Sequence, residues 1–344
     1  MEQELARVLS AYGLGAPVSI RRVESGHVDQ NWIAETEQGG YFVKRRHPRR
    51  RQPEQIIQAQ HDLISHLRRT GFPAPDLHRT SAGQGFLVMD GEVYEVAEAI
   101  EGGPYDHDRP EHLVAAARML GRYHLAVEGF SSPALAQQGA LYSPRNARAA
   151  LARLLEAWQS PVDADLGHLA QELGALAEGL TERFGAHGAL PHLVIHGDYY
   201  AGNLLFRGDR IVGVVDYDKA SWQPRVAELA EALIYFSSPR PGCLRHLVYP
   251  GVLEWEPFDL FLQGYMQVIA LDDAETEALP DYISCIWFLF SLHRLVESHP
   301  SRPPEAKAAL CEVLELGNWA RSQAGKMVSV ARKRRKTCDL GERL

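Results

Sequence analysis

A change in hydrophobic periodicity near residue 101 constrains the fold of this 344-residue chain more than any other feature. Before it, short segments alternate apolar and polar residues with the two-residue period of strands. After it, apolar residues recur every three to four positions over long stretches, which is the helical period. The pair Gly102 and Gly103 lies at the change and indicates a hinge. We therefore predict an α+β protein with two lobes, a small β-rich one followed by a larger, mostly helical one.

The first part of the chain is predicted to contain one helix and five strands. The helix runs from Pro53 to Arg69, carries an apolar stripe, and ends before Gly71 and Pro73. The strands, two of which are joined by a glycine turn, cover residues 18–23, 32–36, 41–45, 86–89 and 92–100. The second part is predicted to contain a β-like insert at 193–217 and helices at 111–127, 146–158, 166–184, 225–236, 257–269, 274–299 and 304–324.

Composition narrows the class of protein. The chain is 45% hydrophobic and 23% charged, which is ordinary for a soluble globular protein and rules out a wholly disordered one. The net charge of −8 is uneven, because residues 326–344 carry seven basic and two acidic side chains and the remainder is −13. An acidic body argues against general nucleic-acid binding. We expect lobes at 1–101 and 102–325, followed by a flexible or frayed basic tail at 326–344.

Cysteine usage and hydropathy favour a cytoplasmic protein. The four cysteines are scattered and form no CxxC pair, so we predict neither a disulfide framework nor a zinc site. The first fifteen residues are amphipathic and begin with acids, unlike a secretory signal. The longest apolar run, Tyr282–Leu292, is shorter than the ~20 residues of a membrane span and indicates a buried core helix.

The segment most informative about function is His196–Phe206, with the sequence HGDYYAGNLLF. Asp198 and Asn203 lie in a glycine-containing loop that leads into an apolar strand, at the spacing of the protein-kinase catalytic loop. A polar turn at 207–210 leads into a second strand that ends at Asp216, so a hairpin should bring Asp216 beside Asn203. Oxygen ligands of this kind suit Mg²⁺. Phosphoryl transfer needs such metal ligands and a carboxylate to deprotonate the attacking hydroxyl.

This pattern, HGDxxxxNxLF followed by a hydrophobic strand ending in D-x-D, resembles the signature of the aminoglycoside phosphotransferase / choline kinase family. Its type II homoserine kinase and amino-sugar kinase branches are the most similar. The resemblance implies a two-lobed protein-kinase-like fold with ATP between the lobes. It implies that Asp198 is the catalytic base, that Asn203 and Asp216 bind metal, and that Asp218 is a weaker metal candidate. It also implies that His196 supports the loop through hydrogen bonds.

The resemblance assigns nucleotide-binding residues in the first lobe as well. Lys44, facing inward on the third strand, should clamp the α- and β-phosphates. The loop between the first two strands should offer Ser25 and Gly26 to the phosphates. The backbone near Glu98 and Ile100 should hold the adenine.

One position departs from the family. The helix glutamate that usually pairs with the lysine is replaced by Gln60, or by His61 in a shifted alignment. Gln60 follows Ile56 by four residues and faces inward, so its amide is expected to hydrogen-bond Lys44 without charge assistance. We interpret the basic run 44–51 as a solvated loop around one functional lysine, rather than as a funnel for phosphate.

The helical lobe should form the acceptor pocket. Tyr200 lies beside the base, Trp222 follows the metal-binding strand, and Trp287 and Arg294 share one side of a late helix. For the aromatic residues, core packing is the alternative, and we favour it. An arginine in an apolar helix needs an anionic partner. That partner is a substrate carboxylate or one of two acids, Asp281 and Glu228.

The sequence thus predicts an ATP- and Mg²⁺-dependent kinase that phosphorylates a hydroxyl of a small molecule: an amino alcohol, hydroxy amino acid, amino sugar or aminoglycoside. It would be a monomer or homodimer without nucleic-acid or membrane partners. The alternatives are a Ser/Thr protein kinase of the same fold and a non-catalytic nucleotide-binding regulator. Only eight residues separate Asp218 from Ala227, too few for a long activation segment, which argues against a protein kinase. The intact Asp198, Asn203 and Asp216 argue against a regulator.

Overall fold

A computed structural model describes residues 1–23, 29–47, 52–157, 164–238, 253–298 and 303–341. The first lobe is an antiparallel five-stranded sheet with the order β1-β2-β3-β5-β4. The strands are β1 (Pro17–Val23), β2 (Gln30–Thr36), β3 (Gly39–Arg45), β4 (Leu87–Met89) and β5 (Glu92–Glu98). Two helices accompany the sheet, α1 (Glu2–Ala11) and α2 (Glu54–Arg69). All five predicted strands and the predicted helix are present, within two residues at each end.

One small apolar core joins α1 to the sheet. Trp32, Val43 and Val96 are register partners across β2, β3 and β5, and all three are buried. They share one face because side chains alternate along a strand. Leu5 and Leu9, four residues apart on α1, pack into the same core. The sheet is thereby held rigid around the strand that carries Lys44.

The apolar stripe of α2 packs into the larger core of the second lobe, not into the core of the sheet. Its buried residues Ile56, Leu63 and Leu67 belong to the same cluster as Tyr123 on α3 (Pro110–Ala126). The change near residue 101 therefore divides the secondary structure of the chain but does not divide its hydrophobic cores. The predicted domain boundary stays a prediction.

The second lobe is mostly helical, as predicted. Beyond α3, its helices are α4 (Pro133–Ala136), α5 (Pro144–Ala157), α6 (Ala164–Ala186), α7 (Arg225–Phe236), α8 (Trp255–Met266), α9 (Asp273–Ser298) and α10 (Pro303–Gly341). The apolar segment Tyr282–Leu292 forms the middle of α9 and is buried, as expected of a core helix. Among the described helices, none combines the length and the apolar character needed to cross a membrane.

The β-like insert forms two short antiparallel ladders, and the HGDYYAGNLLF segment begins directly after one of these strands. The strand β6 (His192–Ile195) pairs with β9 (Ser221–Pro224), and β7 (Leu204–Arg207) pairs with β8 (Arg210–Val214). A single 3₁₀ turn, Ala201–Asn203, joins the loop to β7. The predicted β region ends at 217, so the sequence missed β9.

The structure differs from the predicted frayed tail. As far as Gly341, the basic segment continues α10. Met327 and Ala331, one helical turn apart, are fully buried and anchor this segment to the core. Arg334 forms an ion pair with Asp259 on α8. The helical spacing of these apolar residues would have predicted a helix here, but the prediction was based on the charge of the segment.

Candidate active site

Gly197 gives the catalytic loop its sharp turn. Its φ is +76°, and a Cβ at this position would lie 2.4 Å from the carbonyl oxygen of Lys219. Only glycine meets both conditions. Its N–H donates to Oε1 of Glu228 at 2.7 Å, and Oε2 of Glu228 lies 2.9 Å from Nε2 of His124. Glu228 is fully buried on α7, so a buried acid holds the backbone of the loop just before Asp198.

His196 and Asn203 fix the backbone on either side of the turn. The N–H of Asp198 donates to Nδ1 of His196 at 3.3 Å, so Nε2 of the ring donates to the carbonyl of Val215 at 3.0 Å. The amide nitrogen of Asn203 donates to the carbonyl of Asp198 at 2.9 Å. The N–H of Val215 donates in turn to the carbonyl of Asn203. These bonds join the loop to the end of the second hairpin strand, just before Asp216.

Asp216 has the backbone of a constrained functional residue. Its φ is +68°, a region that non-glycine residues seldom occupy and that persists only where the surroundings impose it. Lys44 Nζ lies 3.1 Å from Oδ1 of Asp216 and 2.7 Å from Oδ2 of Asp218. A third carboxylate, Asp29, is 3.3 Å from the same nitrogen. The structure therefore brings Lys44 to both predicted metal-binding aspartates.

The pKa values of this group follow from burial and charge. Burial disfavours the charged lysine, yet Asp216 and Asp218 together raise the pKa of Lys44 well above its usual range. Burial favours the neutral acid, yet the Lys44 ammonium holds the pKa of Asp216 below its usual value. At Asp218, burial prevails over the neighbouring cations and the pKa rises to about 6. The site thus keeps a charged lysine among several acids.

Gln60 lies in the site but does not hydrogen-bond Lys44. Its amide nitrogen donates to the carbonyl of Asp218 at 2.8 Å, and its Oε1 accepts from Arg46 at 3.0 Å. Gln52 Nε2 donates to the same carbonyl at 3.0 Å. The expected contact with Lys44 is therefore replaced by support of the Asp218 backbone. A neutral amide suits this position because it both donates and accepts.

Arg46 and Glu95 form a buried ion pair that the sequence did not predict. Arg46 Nε and Nη2 donate to the two carboxylate oxygens of Glu95 at 2.7 and 3.1 Å, and Nη2 is also 3.1 Å from Oδ1 of Asp218. His61 hydrogen-bonds the same carboxylate. Burial would raise the pKa of Glu95, but Arg46 and His61 hold it well below its usual range.

The interpretation of residues 44–51 as a solvated loop is therefore wrong for Arg46, which is 6% exposed. Residues 48–51 lie outside the described residues. The available signal was the position of Glu95, which lies between Tyr94 and Val96 in the apolar middle of β5. A carboxylate buried in a strand needs a cation, and the neighbouring strand β3 ends in two cations, with Arg46 directly after it.

Lys219 is a further residue of the site that the sequence did not predict. Its Nζ is 2.7 Å from Oδ1 of Asp198, whose side chain is 16% exposed. Burial would lower the pKa of Lys219, but the Asp198 carboxylate raises it, so the lysine is charged. The signal was its position directly after Asp218, at the end of the second motif. The catalytic loop thus contains an oriented carboxylate held by a cation.

On the predicted adenine side of the site, one expected donor is bonded within the protein. The N–H of Glu98 donates to the carbonyl of Asp76 at 2.9 Å, so this donor is already used within the protein. Ile100 faces β8, since a Cβ added to Gly213 would lie 3.0 Å from its Cδ1. Ser25 and Gly26, predicted to bind phosphate, lie outside the described residues.

Among the predicted acceptor residues whose side chains the structure describes, Tyr200 alone lies in the catalytic loop. Burial, Asp198 and Asp216 together raise the pKa of Tyr200 to about 12. Trp222 is 38% exposed and stacks on His192. Trp287 is buried against Trp319 in the helical core.

The side chain of Arg294 lies outside the described residues. The two acids offered as its partners are both engaged elsewhere. Asp281 pairs with Arg183 and His187, and Glu228 supports the catalytic loop.

A small β lobe, a helical lobe and a carboxylate loop facing a strand lysine define a kinase-like phosphotransferase. The chain belongs to the phosphotransferase enzyme family (APH), which matches residues 19–250. It is 27% identical over 305 residues to the homoserine kinase of Parvibaculum lavamentivorans, covering 87% of each chain. It is 26% identical over 299 residues to the homoserine kinase of Methylobacillus glycogenes, covering 86% of each.

Solved structures of two kinases have the same fold. An amicoumacin kinase in complex with AMP-PNP, Ca²⁺ and its ligand has a TM-score of 0.67 at 16% identity, over 92% of this chain and 96% of that one. A microcompartment-associated aminopropanol kinase has a TM-score of 0.67 at 15% identity, over 95% and 98%. These findings confirm the predicted family, the two-lobed kinase-like fold and the enzyme class, a kinase that phosphorylates a hydroxyl group.

Proposed function

We propose that this enzyme transfers the γ-phosphate of ATP, with Mg²⁺, to a hydroxyl of a small molecule that carries an amine: an amino alcohol, hydroxy amino acid, amino sugar or aminoglycoside. The observation that carries the proposal is the convergence of Lys44, Asp216 and the Asp198 loop in one site. The acceptor class rests on the named activities of the relatives, homoserine kinases and an aminopropanol kinase.

Asp198 is the proposed base. It accepts the proton of the acceptor hydroxyl as that oxygen attacks the γ-phosphorus and the bond to the ADP oxygen breaks. Lys219 holds Oδ1 of Asp198, which fixes the direction of the carboxylate. The bonds of His196, Asn203 and Glu228 fix the backbone beneath it. Because positioning supplies much of the rate enhancement in phosphoryl transfer, this support is part of the mechanism.

The donor set fits Mg²⁺. Among the described residues, no group of three histidine, cysteine or acidic side chains is arranged to hold a metal by itself. Mg²⁺ does not require one, since it takes one or two carboxylates and completes its shell with phosphate and water. Asp216 would hold it together with Oδ1 of Asn203, whose amide nitrogen is already bonded to the loop. When bound, the ion would neutralise phosphate charge.

Lys44 is proposed to bind the phosphates of the nucleotide. Without nucleotide, it pairs with the carboxylates of Asp216 and Asp218. An ammonium shared by Asp216 and Asp218 is already desolvated and oriented at the edge of the nucleotide site. Asp218 is held from behind by Arg46 and Gln60, which makes it a support for Lys44 more than a metal ligand. This arrangement answers the doubt raised by the missing helix glutamate, because Lys44 has other anionic partners.

A protein substrate is disfavoured. The strand β9 and the start of α7 follow Asp218 directly, and α7 begins at Arg225. Protein kinases carry a long activation segment at this place. A short connection that is itself a strand leaves the acceptor side to the helices.

A screen with Mg·ATP tests the function. Wild-type protein is incubated with homoserine, choline, ethanolamine, glucosamine, kanamycin and casein, and ADP release is measured. We expect turnover with at least one small amine and none with casein. The Asp198→Ala variant should remain folded by circular dichroism and lose turnover. Undiminished turnover by this variant would exclude the proposed base.

A further inference from the structure

Three carboxylates surround the ammonium of Lys44, the proposed phosphate-binding group. Its nitrogen lies 2.7 Å from Oδ2 of Asp218, 3.1 Å from Oδ1 of Asp216 and 3.3 Å from Oδ2 of Asp29. An ammonium has three N–H donors. Phosphate oxygens are anionic themselves, so carboxylates at these distances repel them. Lys44 must therefore give up its contact with at least one of these acids before it can hold a phosphate.

Asp218 is the acid that has a second cation. Lys44 contacts its Oδ2, and Nη2 of Arg46 lies 3.1 Å from its Oδ1. Within the described part of the chain, Asp216 and Asp29 form ion pairs with Lys44 only. A carboxylate with little access to water is costly to leave without a counter-charge. When Lys44 leaves Asp218, this acid therefore keeps a counter-charge that the other two acids lack.

Arg46 is held in place independently of Lys44. Three side chains accept hydrogen bonds from its guanidinium: Glu95, Gln60 and Gln52. The two glutamines donate in turn to the carbonyl of Asp218, at 2.8 and 3.0 Å. A planar guanidinium with five donors can hold several acceptors at once, which a lysine ammonium cannot do in the same geometry. Arg46 and the backbone of Asp218 can therefore stay where they are while Lys44 moves.

We propose that Arg46 is a positioning residue for nucleotide binding: it neutralises Asp218, so that Lys44 can move from this acid to the phosphates. The inference rests on the proposed function, because it takes Lys44 to be the group that binds phosphate. Arg46 acts through Asp218 and Lys44 and not on the reacting atoms. Without Arg46, Asp218 would have Lys44 as its remaining cation among the described residues and would hold it against the nucleotide.

A double-mutant cycle tests the inference. Calorimetry measures the Kd of AMP-PNP in EDTA, where Lys44 acts without a metal ion, or with Mg²⁺ if wild type binds only then. Arg46→Met should raise this Kd by about 10- to 100-fold, because Asp218 then retains Lys44. When Asp218→Asn is already present, Arg46→Met should raise it by no more than about threefold, since the neutral amide no longer holds Lys44. An equal loss in both backgrounds, or no loss in the first, overturns the proposal.

A control and a milder variant protect the test against misfolding. Arg69→Met removes an exposed arginine at the end of α2 and should leave the Kd unchanged. If Arg46→Met does not fold, Arg46→Lys replaces it in both backgrounds. Its ammonium keeps a cation for Glu95 but lacks the fork that also reaches Asp218. The Kd should then rise by about threefold to tenfold in wild type and stay unchanged beside Asp218→Asn, and any other pattern overturns the proposal.

Steady-state kinetics separate positioning from a purely structural role. Arg46→Met should raise the KM for ATP by a factor similar to that of the Kd, while kcat at saturating ATP changes by less than about threefold. The reason is that the variant makes Lys44 harder to release but leaves Asp198 and Lys219 as they are. A fall in kcat with an unchanged KM for ATP would contradict the proposal.

Nucleotide binding without turnover distinguishes this inference from the proposed function. If no acceptor is phosphorylated but the cycle with AMP-PNP gives the expected pattern, the proposed function fails and the role of Arg46 stands. If acceptors are phosphorylated while Arg46→Met binds AMP-PNP like wild type, the kinase stands and the role of Arg46 fails. Lys44→Met checks the assumption that both share. If it binds AMP-PNP as tightly as wild type, Lys44 does not hold the phosphates and the inference is overturned.

Discussion

Two buried acids, Glu228 and Glu95, support the two sides of the site in different ways. On the catalytic side, Glu228 accepts a backbone N–H from Gly197 and pairs with His124. On the nucleotide side, Glu95 binds only side chains among its described contacts, those of Arg46 and His61. The first acid therefore fixes the backbone of a turn at which only glycine fits. The second organises a group of charged side chains.

This difference bears on Gln60, the neutral residue at the position where the family usually has a glutamate. On the nucleotide side, charge is shared among several groups: Arg46 contacts Glu95, Gln60 and Asp218 together. The neutral Gln60 therefore leaves Arg46 paired with Glu95 and Asp218. The catalytic side has no such redundancy, since Gly197 accepts no side chain and Asp198 is the acid at the reacting position. Substitutions should therefore reduce catalysis on one side and stability on the other.

The largest effect is expected at Asp198. Asp198→Ala should lower kcat by about 10²- to 10⁴-fold, because it removes the group that accepts the hydroxyl proton. ADP release measures the loss, and circular dichroism should show an unchanged fold. Asp62→Ala, which removes an exposed acid on α2, is the control and should retain full activity. If Asp198→Ala unfolded the protein instead of only lowering kcat, the inferred difference between the catalytic side and the nucleotide side would be wrong.

Glu95→Gln should act on stability. It leaves the buried Arg46 without its main counter-charge, and the free energy of unfolding should fall by about 3 kcal/mol in urea titrations. Because the folded-state pKa of Glu95 is lowered, its contribution is present above its usual value of 4.5 and is lost as the pH falls below that value. The difference between variant and wild type should therefore shrink in acid.

The control for this prediction is Glu37→Gln, in the exposed turn between β2 and β3, which should change stability very little. If Glu95→Gln proved as stable as wild type at neutral pH, the cluster around Arg46 would not have the supporting role that we infer.

Lys219 is expected to show an intermediate effect that falls on kcat. Lys219→Met should lower kcat by about 10- to 100-fold, because Asp198 loses the charge-assisted bond that orients it. The KM for ATP should stay within about threefold, since Lys44 is untouched. Lys219→Arg should restore part of the rate. A rise in the KM for ATP with unchanged kcat would instead indicate that Lys219 contributes to nucleotide binding and does not orient Asp198.

Gln60→Glu should have the smallest effect. The new carboxylate gains charge attraction from Arg46 but loses the donor to the carbonyl of Asp218, and these changes oppose each other. The KM for ATP should change by less than about threefold, as measured by initial rates. A large increase would mean that the amide at this position is essential and that the nucleotide side lacks the redundancy we describe.

The sequence predicted the fold because its strands and helices are strongly periodic. Every predicted strand of the first lobe formed, and the long helices of the second lobe agree within a few residues except at the C-terminal end of α10, which extends to Gly341. It overlooked β9, which has too few residues to show a period, and it interpreted the end of α10 by charge although Met327 and Ala331 follow the helical spacing. In both places, packing against the rest of the protein decided the outcome.

Within the site, the sequence by itself determined the catalytic loop. Asp198, Asn203 and Asp216 lie within 19 positions, in the loop before one hairpin and directly after it, so local spacing brings them together. Only the tertiary structure decided their partners. Lys44 meets Asp216 across 172 residues, and Arg46 meets Glu95 across 49. No local period encodes such pairs, because a buried charge needs only some opposite charge at the right place in space, from whichever strand or helix packing brings there.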